Sequence, residues 1–232
     1  TTIVAQFKVV RDAKSEALFQ NAAGNVYFLA WTTTPWTLPS NTALAVGKTI
    51  NYVQVNTSNP YTDAPISVVL AEPLLGKVLG LEGALVDGKG TGKVGGKKIN
   101  VEVVGGYAGA DLAGIHYEQL MPYVQPEGDA FRVIVGDFVT TEDGTGIVHI
   151  APTFGADDFR VAAQNGVPAL LITYPDGSKG PLVDKKGRFV PQMGPYAGMY
   201  VKNYTGADES AADYKSTDVL IAIQLKEENK AF

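Results

Sequence analysis

The apolar residues of this chain come in short runs broken by glycine, proline and asparagine, a pattern that builds strands far more readily than long helices. Val26-Tyr27-Phe28-Leu29-Ala30 is continuous, with β-branched, aromatic and aliphatic side chains for both faces, and reads as a strand buried on both sides. Residues 3–10 open the chain with another strand, and residues 42–46, 52–55 and 66–70 look like three more. Later strands are expected at residues 99–104, at 131–139 with an interruption at Gly136-Asp137, and at 169–172 as a short buried one. Residues 13–23 read as a polar connection or a short helical piece, and residues 73–79 as a short helix ended by Gly80. Residues 156–164 have helix-forming composition. The last segment reads as a helix with Val219, Leu220, Ile223 and Leu225 near one stripe. Pro175-Asp176-Gly177 is a turn, and residues 181–198 are loop-rich. No repeat and no low-complexity linker divides the chain. The expectation is one domain over residues 1–232, mixed α+β and strand-rich, mainly antiparallel and curled like a barrel.

Composition removes several classes of function. The chain has 232 residues, 45% of them apolar, enough to bury a substantial core. It has no cysteine, which excludes disulfides, a thiolate nucleophile and a thiolate metal site. A net charge of −5 argues against a protein that coats nucleic acid by charge alone, and leaves room only for local complementarity. Lys89, Lys93, Lys97 and Lys98, scattered among the glycines from Gly88 to Gly96, read as a solvated loop. Gly90-Thr91-Gly92-Lys93-Val94-Gly95 spells a dinucleotide fingerprint, but no strand precedes it and no helix follows. His116-Tyr117-Glu118 spells half of a zinc-deaminase signature whose cysteines are missing, so His116 reads as a surface or packing residue. No apolar run is long enough to span a membrane, and no basic-then-apolar leader is seen, so a cytoplasmic location is expected.

Two stretches carry chemistry. The first is Trp31-Thr32-Thr33-Thr34-Pro35-Trp36-Thr37-Leu38-Pro39-Ser40-Asn41. Pro35 removes a ladder donor and pushes Thr34 toward an extended conformation, so pairing stops and the threonines are left at a rim. Such a rim can hold a polar ligand; equally, three threonines before a proline turn are ordinary strand chemistry. The second stretch runs from Gly144-Thr145-Gly146 through Ile147-Val148-His149-Ile150 to Asp157-Asp158-Phe159. A glycine turn leads into a short strand whose alternation sends Val148 and Ile150 to the core and His149 to the opposite face, with Ile147 and Ala151. Asp157 and Asp158 fall in the first turn of the next helix, where acidic residues suit the helix dipole with or without a ligand.

Together the two stretches resemble the editing domain of isoleucyl-tRNA synthetase, the module inserted into the catalytic domain of the isoleucyl, valyl and leucyl enzymes. The resemblance spans essentially the whole chain, while the aminoacylating signatures, His-x-Gly-His and Lys-Met-Ser-Lys-Ser, are absent. It implies a barrel-like fold and hydrolysis of the ester joining valine to the terminal adenosine of isoleucine tRNA, with valyl-adenylate as a further substrate. It implies no cofactor and no metal. The implied partners are the 3′ end of the misacylated tRNA and the rest of the synthetase; no membrane is involved, and the fragment is expected to be monomeric. Residue by residue, Asp158 matches the position that binds the substrate's α-ammonium, and Thr32, Thr33 and Thr34 match hydroxyls around the amino acid, the ribose and the attacking water. Asn41 matches an asparagine needed for editing, and His149 matches the floor residue that excludes isoleucine, with bonding to the ribose as a further use and a gate favoured over a base, a choice the sequence does not settle. Gly144, Thr145 and Gly146 shape the pocket, while Trp31, Trp36 and Phe159 are candidates to stack the adenine, with core packing the expected use of at least two of them. Thr153-Phe154 stands where many bacterial members carry Gly-His, so no role passes to a second histidine there.

Two other readings compete. A metallohydrolase would use Asp157, Asp158 and His149, although adjacent helical residues diverge by about 100° and the ligand count is short. A noncatalytic module would only hold the tRNA 3′ end. A valyl or leucyl relative is the nearest alternative within the family.

Overall fold

The computed structural model describes residues 1–232. In chain order the elements are β1 (Ile3–Lys8), α1 (Glu16–Phe19), β2 (Asn25–Thr32), β3 (Ala43–Val46), β4 (Asn51–Ser58), β5 (Pro65–Ala71), α2 (Leu75–Val78), β6 (Lys89–Val94), β7 (Lys97–Ala108), α3 (Gly109–Leu112), β8 (Arg132–Val135), β9 (Ile147–Ile150), α4 (Ala156–Gln164), β10 (Ile172–Thr173), β11 (Lys179–Gly180) and α5 (Thr217–Glu227). Short 3-10 turns at Pro35–Ser40, Pro152–Phe154 and Pro191–Tyr196 each begin on a proline, which supplies a fixed φ and has no donor to leave unpaired.

The larger sheet has the order β1-β2-β5-β4-β7-β6, antiparallel except where β2 runs parallel to β5. Its two faces are both buried. On β2, Val26, Phe28 and Ala30 enter the main core, while Tyr27 and Leu29 enter a second core with Val68, Leu70 and Phe232. The continuous apolar run is therefore two interleaved faces. Truncating a fully buried side chain such as Phe28 to alanine costs about 3–5 kcal/mol. A smaller sheet, β8-β3-β9, has β3 parallel to β8 and antiparallel to β9. The strand-rich mixed fold is the one expected; neither sheet closes on itself, so the barrel-like curl stays open.

The Gly144–Gly146 turn staples the two sheets together. The Ala71 N–H at the end of β5 donates to the Thr145 carbonyl at 2.8 Å, the Thr145 hydroxyl donates to the Leu29 carbonyl of β2 at 2.6 Å, and the Tyr52 hydroxyl of β4 donates to the Gly146 carbonyl at 2.6 Å. Gly146 has φ +79°, and a Cβ there would lie 2.3 Å from that of Ala71. Only glycine satisfies both demands.

Four local expectations are corrected. Residues 89–94 form β6, paired with β7 across a Gly95-Gly96 turn whose positive φ values suit a tight hairpin, so the lysine-glycine stretch is an edge hairpin and not a loop. Of residues 169–172 only Ile172 begins a strand, and Leu171 is exposed. On α5 the buried positions are Thr217, Ile221, Ala222 and Leu225; of the expected stripe Leu225 is buried, whereas Val219, Leu220 and Ile223 are only half-buried. Finally, on β9 Ile150 turns to a core as expected but Val148 on the same face is only half-buried, and the face carrying His149 is covered: Ile147 lies in the main core and His149 is buried.

Candidate active site

The threonine stretch is a strand end folded back on itself. β2 stops at Thr32, and the Thr34 N–H, with no strand partner, donates to Thr32 Oγ1 at 3.1 Å. The Thr32 and Thr34 hydroxyls lie 3.4 Å apart, and Thr34 Oγ1 lies 3.4 Å from Thr37 Oγ1. Pro35 opens the 3-10 turn that brings Thr37 back under Thr34. The turn is pinned from the far end of the chain: the Trp36 N–H donates to Asp218 Oδ1 in the first turn of α5 at 2.8 Å. Burial raises the Asp218 carboxyl, with this backbone hydrogen bond acting against it.

From Thr37 a hydrogen-bonded chain runs through His149 into the core. Thr37 Oγ1 is 2.9 Å from His149 Nε2, Asn41 Nδ2 is 2.8 Å from His149 Nδ1, and the Tyr117 hydroxyl is 2.5 Å from Asn41 Oδ1. The direction of every bond follows from its neighbours. Asn41 Nδ2 also donates to the Ala43 carbonyl at 2.9 Å, which fixes the amide orientation, and the Tyr117 hydroxyl then donates to Oδ1. His149 Nδ1 must therefore accept from the amide. The Thr37 hydroxyl donates to the Thr34 carbonyl at 2.9 Å, so Thr37 Oγ1 accepts from the His149 Nε2–H. The ring is the Nε2–H tautomer, with both nitrogens occupied. Burial pushes its pKa down to about 4, and a second ring proton would face the Asn41 amide hydrogens. His149 is neutral at pH 7.

Next to the threonine turn, and not lined by the relay itself, lies a cleft of about 300 Å³ whose wall includes Trp31, Thr32, Thr33, Phe138, Gly144 and Thr145. Gly146, Ile147 and Val148 continue the same wall. The structure thus brings the end of β2 and the glycine turn to one cleft, and joins Thr34 to His149 through Thr37. It leaves Thr34, Asn41, His149 and Asp158 off the cleft wall. Asp158 Oδ2 accepts from the Ala151 N–H at 2.9 Å, which ties the first turn of α4 to the end of β9 and leaves Oδ1 without a hydrogen bond. Burial raises the Asp158 carboxyl, the Ala151 bond lowers it and the neighbouring Asp157 raises it. Asp157 is exposed, 3.5 Å from Arg160. Trp36 is half-buried, edge-on to Phe154 with centroids 4.9 Å apart, whereas Trp31 and Phe159 are exposed at 40% and 62%. Of the three aromatic candidates, only Trp36 is used for packing.

No group of three or more potential metal-ligating side chains forms. The trio of the metallohydrolase reading is dispersed, with Asp157 beside Arg160, Asp158 bonded to a backbone amide, and His149 engaged at both nitrogens. His116 lies away from the relay, with Nε2 2.8 Å from Asp129. Three residues of the arrangement escaped sequence reasoning: Thr37, Tyr117 and Asp218. Thr37 carried a signal, since it stands three residues after Thr34 across a proline turn. The other two are long-range contacts with no local signature.

The fold and the hydroxyl-lined cleft define a class. A solved structure of GlLeuRS-CP1 superposes with a TM-score of 0.64 over all of this chain and 98% of that one, at 17% identity. The P. knowlesi cytosolic leucyl-tRNA synthetase editing domain gives 0.63 over all of this chain and 94% of that one, at 12% identity. At such identities the likeness is one of fold, and the fold is that of a synthetase editing domain. No family model matches the chain. Its sequence is 53% identical, over its whole length, to the isoleucine–tRNA ligase of Cytophaga hutchinsonii and 47% identical to that of Porphyromonas gingivalis. The isoleucine–tRNA ligase of Clostridium tetani is 40% identical over 91% of the chain and 17% of its own length. The chain is homologous to one segment of isoleucine–tRNA ligase, and spans 21% of the length of the first two of these curated relatives.

Proposed function

We propose that this chain is a single editing domain, residues 1–232, that hydrolyses valine from misacylated isoleucine tRNA in the cytoplasm, as part of an isoleucine–tRNA ligase. Valyl-adenylate is a second substrate of the same cleft. The observation that carries this reading is the junction of the threonine turn with β9 through the Thr37–His149 hydrogen bond at 2.9 Å. One methylene separates the two amino acids and is worth only about 1–3 kcal/mol in a pocket, the value already established for isoleucine against valine in this enzyme family, so a second site that rejects the larger product is needed.

In this reading water adds to the ester carbonyl carbon, the carbon–oxygen bond to the ribose breaks, and valine leaves the tRNA with a free hydroxyl. Thr32, Thr33 and Thr34 hold the ester, the ribose and the water by hydrogen bonds; neutral hydroxyls orient and do not deprotonate. Asp158 offers its free Oδ1 to the α-ammonium, a charge-assisted contact that fixes the ester's direction. His149 is a packing residue behind the cleft wall and not a base: it is neutral, and both nitrogens are engaged inside the protein. The proton of the water ends on the ribose oxygen that leaves, relayed through the neighbouring ribose hydroxyl of the substrate. Trp31 and Phe159, exposed beside these segments, are faces for the adenine.

The test is deacylation of valyl-tRNA by this chain with and without EDTA. Turnover that survives the chelator is expected. Turnover abolished by EDTA selects a metallohydrolase, and binding without turnover selects a passive 3′-end holder.

A further inference from the structure

The chain's negative net charge is not evenly spread. Residues 172–188 form a tongue in which β10 and β11 pair and the Asp184 N–H and carbonyl bond to Arg188 and Gly187. Gly187, at φ +81°, lets the tongue lie on Tyr204, since a Cβ there would fall 2.4 Å from that ring. A groove of about 690 Å³ runs along the tongue past Lys179, Lys185 and Lys186. A second one of about 380 Å³ shares Lys185 and Lys186 with it and continues past Lys202 and Tyr204 to Trp36 and Phe154. It therefore ends on the threonine turn and on the turn that leads into Asp158.

Exposed lysines need no function, but three features set these apart from an ordinary solvated face. Lys179, Lys185, Lys186 and Lys202 form no ion pair. The carboxylates between them are committed elsewhere: Asp184 accepts from the Lys186 and Arg188 backbone amides and from Arg188 Nε, and Asp176 accepts from Ser178. Tyr204, 57% exposed, presents an aromatic ring in the same groove. Cations along a groove with a part-exposed aromatic ring, here packed edge-on with Tyr200 at 5.8 Å, are what a single-stranded nucleic acid needs, phosphates on the cations and a base on the ring.

We infer that this groove is the track for the unpaired 3′ end of the RNA, with phosphates on Lys185, Lys186 and Lys202 and a base on Tyr204, delivering the terminal ester at Trp36. The inference rests on the editing reading for the identity of the cargo, but its test does not. Binding of a fluorescein-labelled single-stranded RNA is followed by anisotropy from low to high salt, for the chain and for Lys185→Ala/Lys186→Ala/Lys202→Ala. Loss of three phosphate contacts flattens the log–log salt slope by about 2. A control, Lys93→Ala/Lys98→Ala on the β6–β7 hairpin, leaves the slope unchanged. In hydrolysis the triple variant raises KM for valyl-tRNA at least tenfold, with kcat and the cleavage of valyl-adenosine, which carries no phosphate for the lysines, unchanged. An unaltered slope in the triple variant, or an equal change in the control, overturns the groove even if hydrolysis is intact. A flattened slope in a chain that hydrolyses nothing upholds the groove and overturns the editing reading.

Discussion

The two histidines of this chain show how far surroundings decide what one side chain can do. His149 sits on β9 with both faces of the strand covered, bonded at Nε2 and Nδ1 to Thr37 and Asn41, and burial holds its pKa at about 4. His116 lies at the surface, with Nε2 2.8 Å from Asp129 and Arg132 close to the same carboxylate. The first is a fixed, neutral packing residue behind the cleft, and the second is a hydrogen-bond partner of a solvent-screened carboxylate. By letter alone His116, in a signature-like triplet, was no less suggestive than His149. The difference lies in the partners that the fold brings to each ring.

That contrast can be broken in steps of decreasing size. His149→Ala empties a buried site and strands Thr37 and Asn41, so urea unfolding should show a loss of about 2–5 kcal/mol, and the enlarged pocket should begin to cleave isoleucyl-tRNA. Unchanged discrimination would remove His149 as the size gate. Acidification gives the next effect. With a folded pKa of about 4 against 6.5 unfolded, the unfolded chain alone takes up the His149 proton between those values. Stability from this group is complete above pH 6.5 and falls as pH drops toward 4, by on the order of 3 kcal/mol. The difference in unfolding free energy between the chain and His149→Ala, measured across that window, should shrink accordingly; a constant difference would mean an exposed or charged ring.

Tyr117→Phe keeps the edge-to-face packing on Phe7 but leaves Asn41 Oδ1 buried without a donor, a loss of about 1–3 kcal/mol by denaturant titration. The same variant loosens the tautomer, which 15N spectra of the His149 ring should report. His116→Ala is the smallest, within about 0.5 kcal/mol of the parent because a solvent-screened contact to one exposed carboxylate contributes little. A larger loss there would erase the contrast.

Much of the scaffold was legible because its periodicity was unambiguous. Residues 26–30 filled two faces, and residues 156–164 switched to helical composition directly after Gly155, so β2 and α4 fell where expected. The two motif stretches could be singled out because proline and glycine announce where a strand must stop. Elsewhere the letters carried no direction. Residues 219–223 are apolar on every side of α5, so only the packing partners decide that Ile221 and Ala222 turn inward. The β6 strand, rich in glycine and lysine, has little strand propensity of its own and is held by its register with β7. The alternation on β9 was right, but sequence cannot tell that both faces are covered, which is what converts His149 from a titrating group into a neutral one. Tyr117, 32 residues before His149, could not be connected to it without the fold.

The most direct test of the account compares kcat/KM for valyl-tRNA and isoleucyl-tRNA carried on the same isoleucine tRNA, using this chain at neutral pH. The account predicts clear preference for the valyl ester with little hydrolysis of the isoleucyl one. Equal rates on the two esters, or none on either, would contradict it.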